Sequence, residues 1–233
     1  ICIEDQLDQL EPRPTRAGWT AGLTLLLFCA WRSLSVLDKD TAVLVLPLLQ
    51  GAALVLLLQP IRQLASQAQP LIVLSLFPLQ ELATRFLPDF WLSAVTAKIT
   101  QVYLLLFGLN AATSGRYVLL GQRGVAIQGA CNSVDLIAQL TTIAIVFVLA
   151  FPIRSRILQL SFVAIAPVLA ILVNAGRIAI LAALNSSSLA NRDDLFTFMH
   201  DEWGALVFAG IATMVLGQMY LALVERELRL RRG

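Results

Sequence analysis

Three side chains in the second half of the chain are of the types that perform acyl transfer: the thiol of Cys131, the guanidinium of Arg177 and the imidazole of His200. A thiolate attacks a carbonyl carbon to form a thioester, an imidazole passes protons in either direction near neutral pH, and a guanidinium donates hydrogen bonds to a developing oxyanion. Cys131 and His200 each open an apolar run of sequence, and Arg177 interrupts another. They can act together only if the fold brings all three to one place.

The elements that must position these residues are membrane helices. Hydrophobic residues make up 58% of the chain and charged residues 14%, with a mean hydropathy of +0.78, which exceeds what soluble domains show. Backbone polar groups in a bilayer must be satisfied internally, and the apolar runs lack the alternation of barrel strands. We therefore predict an all-α, polytopic transmembrane bundle of about seven to eight helices. Seven runs are long enough to span, at 18–36, 41–58, 70–87, 90–112, 131–151, 157–184 and 200–224.

Helical rise predicts that Cys131, Arg177 and His200 lie at one membrane face. A helix needs about 20 residues to cross the bilayer. Counting back from the basic loop at Arg154 and Arg156 reaches Cys131, and counting forward reaches Arg177. Counting back from the basic C-terminal tail lands a few residues short of His200, which a modest tilt accommodates. Because lysine and arginine are retained on the cytoplasmic side, we expect the three residues on the outer face.

The domain organisation follows from these runs. We predict an N-terminal tail at 1–16, a transmembrane domain at 17–225 and a basic cytoplasmic tail at 226–233. The orientation of the first half stays open, because seven spans would leave the N-terminus outside whereas Arg13 and Arg16 favour the inside. Either one more crossing exists, or one run in the first half is only half-inserted.

Residues 116–129, RYVLLGQRGVAIQG, predict a short β-hairpin between the fourth and fifth runs. Two stretches rich in Val, Leu, Ile and Tyr flank the turn residues 121–124. The segment is too short to cross a membrane, so we expect it as an extracytoplasmic flap just before Cys131, where it could hold an extended peptide. A plain connecting loop without a ligand is an equally open interpretation.

Each of the three residues also has a structural interpretation. Cys131 could be an inert small hydrophobe, although the first turn of a helix, where the dipole stabilises a thiolate, favours chemistry. Arg177 is costly at depth, and Asp135 could neutralise it in a buried ion pair, with Asn174 on the same face as Arg177. His200 could be an interfacial polar cap. In that alternative the protein is a non-catalytic membrane transport or assembly subunit with a structural Asp135 to Arg177 pair.

Composition argues against metal, cofactor and nucleic-acid functions. Cys2, Cys29 and Cys131 form no CxxC pair, so no disulfide framework is predicted. With a single histidine and no HExxH spacing, we expect neither a catalytic metal nor a cofactor. Basic residues are scattered at membrane edges rather than gathered with aromatics, so the expected partner is the lipid bilayer and not nucleic acid.

The motifs around the three residues resemble a known family. Cys131 in GACNSVDL, Arg177 in NAGRIAIL and His200 in HDEWGALVF are similar, in order and spacing, to the exosortase and archaeosortase membrane transpeptidases. The resemblance covers roughly 115–220 and favours the cyanobacterial, cyanoexosortase-like branch. One departure is that many members carry Ser-Gly after the cysteine, where this chain has Asn132 and Ser133.

The resemblance implies both a substrate and a mechanism. The substrates would be secreted proteins with a PEP-CTERM-like C-terminal sorting signal, made of a Pro-Glu-Pro-like motif, one transmembrane helix and a basic cluster. Cys131 would be the nucleophile, His200 the acid that protonates the leaving amine, and Arg177 the oxyanion donor. Such an enzyme would be a multi-pass protein of the bacterial inner membrane whose site faces the extracytoplasmic side. A protease that only hydrolyses its substrate is a further possibility.

Overall fold

The computed structural model describes residues 15–35, 41–59, 67–86, 89–128 and 133–232. These residues form eight α-helices, one 3-10 helix and three β-strands. The chain divides into two compact units, Ile1–Glu81 and Leu82–Gly233. In chain order the elements are α1 (Arg16–Leu34), the 3-10 helix (Thr41–Val45), α2 (Leu46–Leu58), α3 (Ala68–Phe86), α4 (Asp89–Leu106), β1 (Ala111–Ser114), β2 (Tyr117–Leu120), β3 (Arg123–Ala126), α5 (Val134–Ala150), α6 (Arg156–Ser186), α7 (Arg192–His200) and α8 (Glu202–Arg232).

In the first unit, α1 packs closely against α2. Gly18, Gly22 and Cys29 are the buried residues of α1, and a Cβ atom on Gly22 would stand 2.8 Å from the carbonyl oxygen of Ala53. Small residues four apart let two helix backbones approach, which is a common mode of helix association in membranes. Cys29 is fully buried and is therefore a packing residue of this unit. Most of the predicted N-terminal tail lies outside the described residues.

In the second unit, α6 runs antiparallel to both α5 and α8, and hydrogen bonds mark both ends of this bundle. At one end, Asn174 of α6 donates to Ser133, which directly precedes α5. At the other end, the carboxylate of Glu227 in α8 accepts the backbone N–H of Arg154, just before α6. Small side chains let the three helices approach closely. The fully buried alanines of this core are Ala144, Ala166, Ala170 and Ala212.

Two of the described helices are long and apolar enough to cross a membrane. They are Arg156–Ser186, with a mean hydropathy of 2.2, and Trp203–Leu230, with a mean hydropathy of 1.9. Only 22% of the apolar window of each is buried, whereas the core helix of a soluble protein is mostly buried. Three other predicted spans correspond to α2, α4 and α5, which are shorter apolar helices. The number of membrane crossings therefore stays a prediction.

The predicted hairpin is part of a larger element, because β1, β2 and β3 form a three-stranded antiparallel sheet in that order. Each of its two-residue loops opens with a glycine at positive φ, Gly115 at 58° and Gly121 at 62°, a conformation that other residues rarely adopt. The sequence prediction located β2 and β3 but assigned the first two residues of β1 to the fourth apolar run.

The fourth run was expected to be helical to residue 112, and this prediction was wrong, because α4 ends at Leu106. Gly108 adopts a φ of 77°. Its N–H donates to the carbonyl of Leu105 at 3.0 Å, and the N–H of Leu109 donates to the carbonyl of Leu104 at 2.9 Å. This pair of bonds is the Schellman motif, which ends a helix at a left-handed residue. The chain is then free to enter β1.

The last predicted run also differs from the structure at both of its ends. His200 does not open the final helix but closes the nine-residue helix α7, and α8 begins at Glu202. At the other end α8 continues through most of the predicted basic tail, as far as Arg232. Glutamate and arginine are good helix formers, and Glu225 pairs with Arg229 one turn later at 3.3 Å, so the charged sequence extends the helix.

Candidate active site

Arg177 lies near the C-terminal end of α6 and is only 3% exposed. Its Nε–H donates to the backbone carbonyl of Met199 at 3.0 Å, and its Nη2 donates to the carbonyl of His200 at 2.6 Å. The last carbonyls of a helix have no partner within the helix, and a cation is favourable at that end of the helix dipole. Arg177 therefore caps the C-terminus of α7 and holds His200 against α6.

The imidazole of His200 contacts residues close to it in sequence and is about half exposed. Its Nδ1 lies 3.4 Å from a carboxylate oxygen of Asp201, and its side chain is 49% exposed. The ring stacks on Phe196, one turn earlier in α7, with ring centroids 5.7 Å apart. A carboxylate beside Nδ1 favours the tautomer with its proton there, which leaves a free lone pair on Nε2.

The corner between α7 and α8 depends on a glycine. A Cβ atom on Gly204 would lie 2.4 Å from the carbonyl oxygen of Met199 and 2.5 Å from its Cα. No side chain fits at this distance, so the first turn of α8 lies directly on the backbone of the residue that Arg177 binds. Arg177 on one side and Gly204 on the other thus fix the position of His200. The sequence contained the His200 to Gly204 spacing, but nothing in it gave the reason for the glycine.

A buried polar network lies one turn away from Arg177. The Nδ2 of Asn174 donates to the Oγ of Ser133 at 3.2 Å, and the Oγ of Ser133 lies 3.0 Å from the Oγ1 of Thr96. Ser133 and Thr96 are fully buried, and Asn174 is 4% exposed. Asn174 precedes Arg177 by three residues, or about 4.5 Å of helical rise, so both project from the same part of α6.

The contribution of α4 to this network was not predicted from the sequence, although a signal was present. Ser93, Thr96 and Thr100 are spaced by three and four residues in α4, a spacing that places them on one helix face. All three are buried, and Thr100 donates to the carbonyl of Ala175 in α6 at 3.2 Å. A polar stripe in a membrane segment indicates contact with another helix or with a cavity.

The three-stranded sheet packs at the same end of α6 as Arg177. Val118 of β2 and Val125 of β3 are buried in one cluster with Ile178 and Ala182 of α6. The side chain of Asn185 donates to the carbonyl of Gly124 at 3.2 Å, which ties β3 to the end of α6. The sheet is therefore fixed beside the candidate site rather than projecting from it.

The remaining predicted residues fall in different places. Cys131, and Asn132 after it, lie outside the described residues, whereas Ser133 is described and buried. Asp135 was predicted as a possible ion-pair partner of Arg177. Its side chain is exposed, and within the described part of the chain it forms no ion pair with Arg177, which instead binds two carbonyls. The predicted ion pair was wrong, because Asp135 lies on the exposed face of α5 and not among its buried residues. Within the same residues, no cluster of three His, Cys, Asp or Glu side chains could hold a metal ion.

The chain is similar to a known protein family. The family model described as Transmembrane exosortase (Exosortase_EpsH) matches residues 2–217, which is most of the chain. No curated protein and no solved structure matches the chain at a significant level. The match and the two membrane-length helices together identify a membrane protein, and the resemblance seen in the sequence motifs is confirmed. The chain belongs to the transmembrane exosortase family.

Proposed function

We propose that this protein is a membrane-embedded cysteine transpeptidase that cleaves the C-terminal sorting signal of secreted proteins and transfers them to an acceptor. The exosortase family acts on such signals in the membrane. The observation that carries the proposal is the bond from the buried guanidinium of Arg177 to the carbonyl of His200. This bond anchors the residue that carries the imidazole to the guanidinium, and these two groups, together with a cysteine, are the ones that acyl transfer requires.

Covalent geometry limits how far Cys131 can lie from these groups. Two residues of fully extended chain span at most about 7 Å, so the Cα of Cys131 stays within that distance of the Cα of Ser133. Ser133 is hydrogen-bonded to Asn174, one turn from Arg177 on α6. This connection to α6 through Ser133, two residues after Cys131 in the sequence, supports the assignment of Cys131 as the nucleophile.

The proposed reaction has two steps. The Cys131 thiolate attacks the scissile carbonyl, the peptide C–N bond breaks, and His200 gives its proton to the departing amine, leaving a thioester. The amine of an acceptor then attacks the thioester, loses a proton to His200 and releases the thiolate. Arg177 donates a hydrogen bond to the oxyanion of each tetrahedral intermediate, and such a donor is worth about 10²- to 10³-fold in turnover in other enzymes.

The length of α6 supports an outward-facing site in the bacterial inner membrane. Arg156 and Arg177 are separated by about 30 Å of helical rise, which equals the thickness of the hydrocarbon core. With the arginines at the start of α6 on the cytoplasmic side, Arg177 and His200 reach the outer boundary. A sorting signal with a transmembrane helix would lie beside the bundle and present its Pro-Glu-Pro-like motif there, so that the membrane supplies the orientation.

The test is signal processing by cysteine variants. A tagged secreted protein with a sorting signal is expressed with the enzyme, and cleavage is followed by the change in its mass. We expect Cys131→Ala and Cys131→Ser to abolish cleavage while the enzyme remains folded in the membrane. Cys29→Ala, at a buried packing position of the first unit, is the matched control and should process normally.

The product distinguishes transfer from hydrolysis. An acceptor joined to the new C-terminal carbonyl supports transpeptidation, and a free carboxylate indicates a protease that only hydrolyses. Normal cleavage by Cys131→Ala would refute the proposed mechanism.

A further inference from the structure

Three buried side chains join three helices next to the segment that carries Cys131. Thr96 belongs to α4, Ser133 directly precedes α5, and Asn174 belongs to α6. Their polar atoms form a continuous chain, with distances of 3.2 Å from Asn174 to Ser133 and 3.0 Å from Ser133 to Thr96. Polar groups buried at this depth are stabilised only when they are hydrogen-bonded.

The number of hydroxyl protons decides which group donates in each of these hydrogen bonds. A hydroxyl group has one proton to donate, and the Oγ1 of Thr96 donates its proton to the carbonyl of Leu92 at 2.9 Å. Ser133 must therefore be the donor in its bond with Thr96, and it accepts from the amide of Asn174. The proton of Ser133 is thus committed, which leaves this serine without a proton to offer a substrate. Its hydroxyl acts as a fixed point between α4 and α6.

We infer that Thr96, Ser133 and Asn174 are positioning residues that hold the C-terminal end of the Cys131 segment against the helix that carries Arg177. This inference rests on the proposed function, because it assigns the network to the same reaction. Ser133 is only two residues from Cys131, and Asn174 is one helical turn from Arg177. A shift of Ser133 therefore changes the distance between the nucleophile and the groups on α6, and a misplacement of about 1 Å can lower a rate by about 10²-fold.

A pair of substitutions at Thr96 separates the hydroxyl from the packing. Thr96→Val keeps the volume and removes the acceptor for Ser133, whereas Thr96→Ser keeps the hydroxyl and removes a methyl group. We expect Thr96→Val to lower kcat for signal cleavage by about 10- to 100-fold, with KM little changed because the network is buried away from the substrate. Thr96→Ser should restore most of the turnover. These constants are measured per folded enzyme, on the purified full-length chain.

Thr100→Val is the matched control. Thr100 is also fully buried, one turn later on α4, and it donates to the carbonyl of Ala175 rather than to Ser133. Thr96→Val loses its bonds with Leu92 and Ser133, whereas Thr100→Val loses its bond to Ala175. Because turnover is compared per folded enzyme, a loss of stability alone would leave kcat unchanged in both variants. We expect only Thr96→Val to lose turnover. Ser133→Ala, which removes a single oxygen atom, is a second variant that should show the same fall in kcat.

Two results would overturn the inference: equal kcat values for Thr96→Val and Thr100→Val, or wild-type kcat in folded Ser133→Ala. Failure of the proposed function looks different. If Cys131→Ala still cleaves the signal, the cysteine mechanism is wrong whatever the Thr96 variants do. If Cys131 is essential and Thr96→Val turns over normally, only the positioning role is wrong.

Discussion

Replacing Gly204 by alanine is expected to disable the candidate site without touching any reacting group. The new Cβ would lie 2.4 Å from the carbonyl oxygen of Met199, 2.5 Å from its Cα and 2.6 Å from its carbonyl carbon. Ordinary van der Waals contact begins at 3.4 Å, so the two backbones must separate by about 1 Å. All three atoms belong to the backbone, and no change of rotamer can relieve the contact.

This displacement acts directly on the bonds of Arg177. The bond from its Nε to Met199 measures 3.0 Å, and a shift of about 1 Å in either direction takes these two atoms out of the range of about 2.7 to 3.2 Å in which an N–H···O bond is made. The carbonyl of His200, which is the second acceptor, moves with it. A misplacement of this size costs about 10²-fold in rate, or about 2.7 kcal/mol in the activation barrier. We therefore expect Gly204→Ala to lower kcat for signal cleavage by about two orders of magnitude.

The assay compares Gly204→Ala with Gly210→Ala in the purified full-length protein. Gly210 lies in the same helix, and no atom stands within 4 Å of the position that its Cβ would take. Alanine stabilises a helix interior by about 1 kcal/mol relative to glycine, so Gly210→Ala should retain full turnover and an equal or higher Tm. Wild-type turnover in folded Gly204→Ala, or equal losses in both variants, would refute the reasoning about the corner.

Two further predictions test the arginine and the membrane sidedness. Arg177→Lys keeps the positive charge but loses the planar fork that binds two carbonyls at once, so kcat should fall by at least about 10-fold, as measured in the cleavage assay; full turnover would show that charge alone suffices. A membrane-impermeant thiol reagent added from outside should label Cys131 in intact cells but not the buried Cys29. The labelled peptides are identified by mass spectrometry, and an unlabelled Cys131 would indicate a cytoplasmic site.

The candidate site was predictable from the sequence where it depended on distance along a helix. Arg177 and His200 were expected at one membrane face by counting residues from basic loops, and the two residues are in contact. The prediction of a glycine-bearing hairpin before Cys131 located β2 and β3 correctly. It missed β1, because residues 111 and 112 fell at the end of the predicted fourth apolar run, whereas the left-handed Gly108 ends the helix before them.

The sequence alone determined that the protein belongs in a membrane and is mainly helical, and it predicted the depth of the polar residues, because composition and the constant rise of a helix are local properties. Tertiary structure decided which partner each polar group has. Arg177 binds the end of α7 rather than Asp135, and Ser133 is fixed by Thr96, 37 residues earlier in the chain. Such partners depend on how each helix is rotated about its axis and on which faces pack together, and these are set by the summed contacts of the whole bundle.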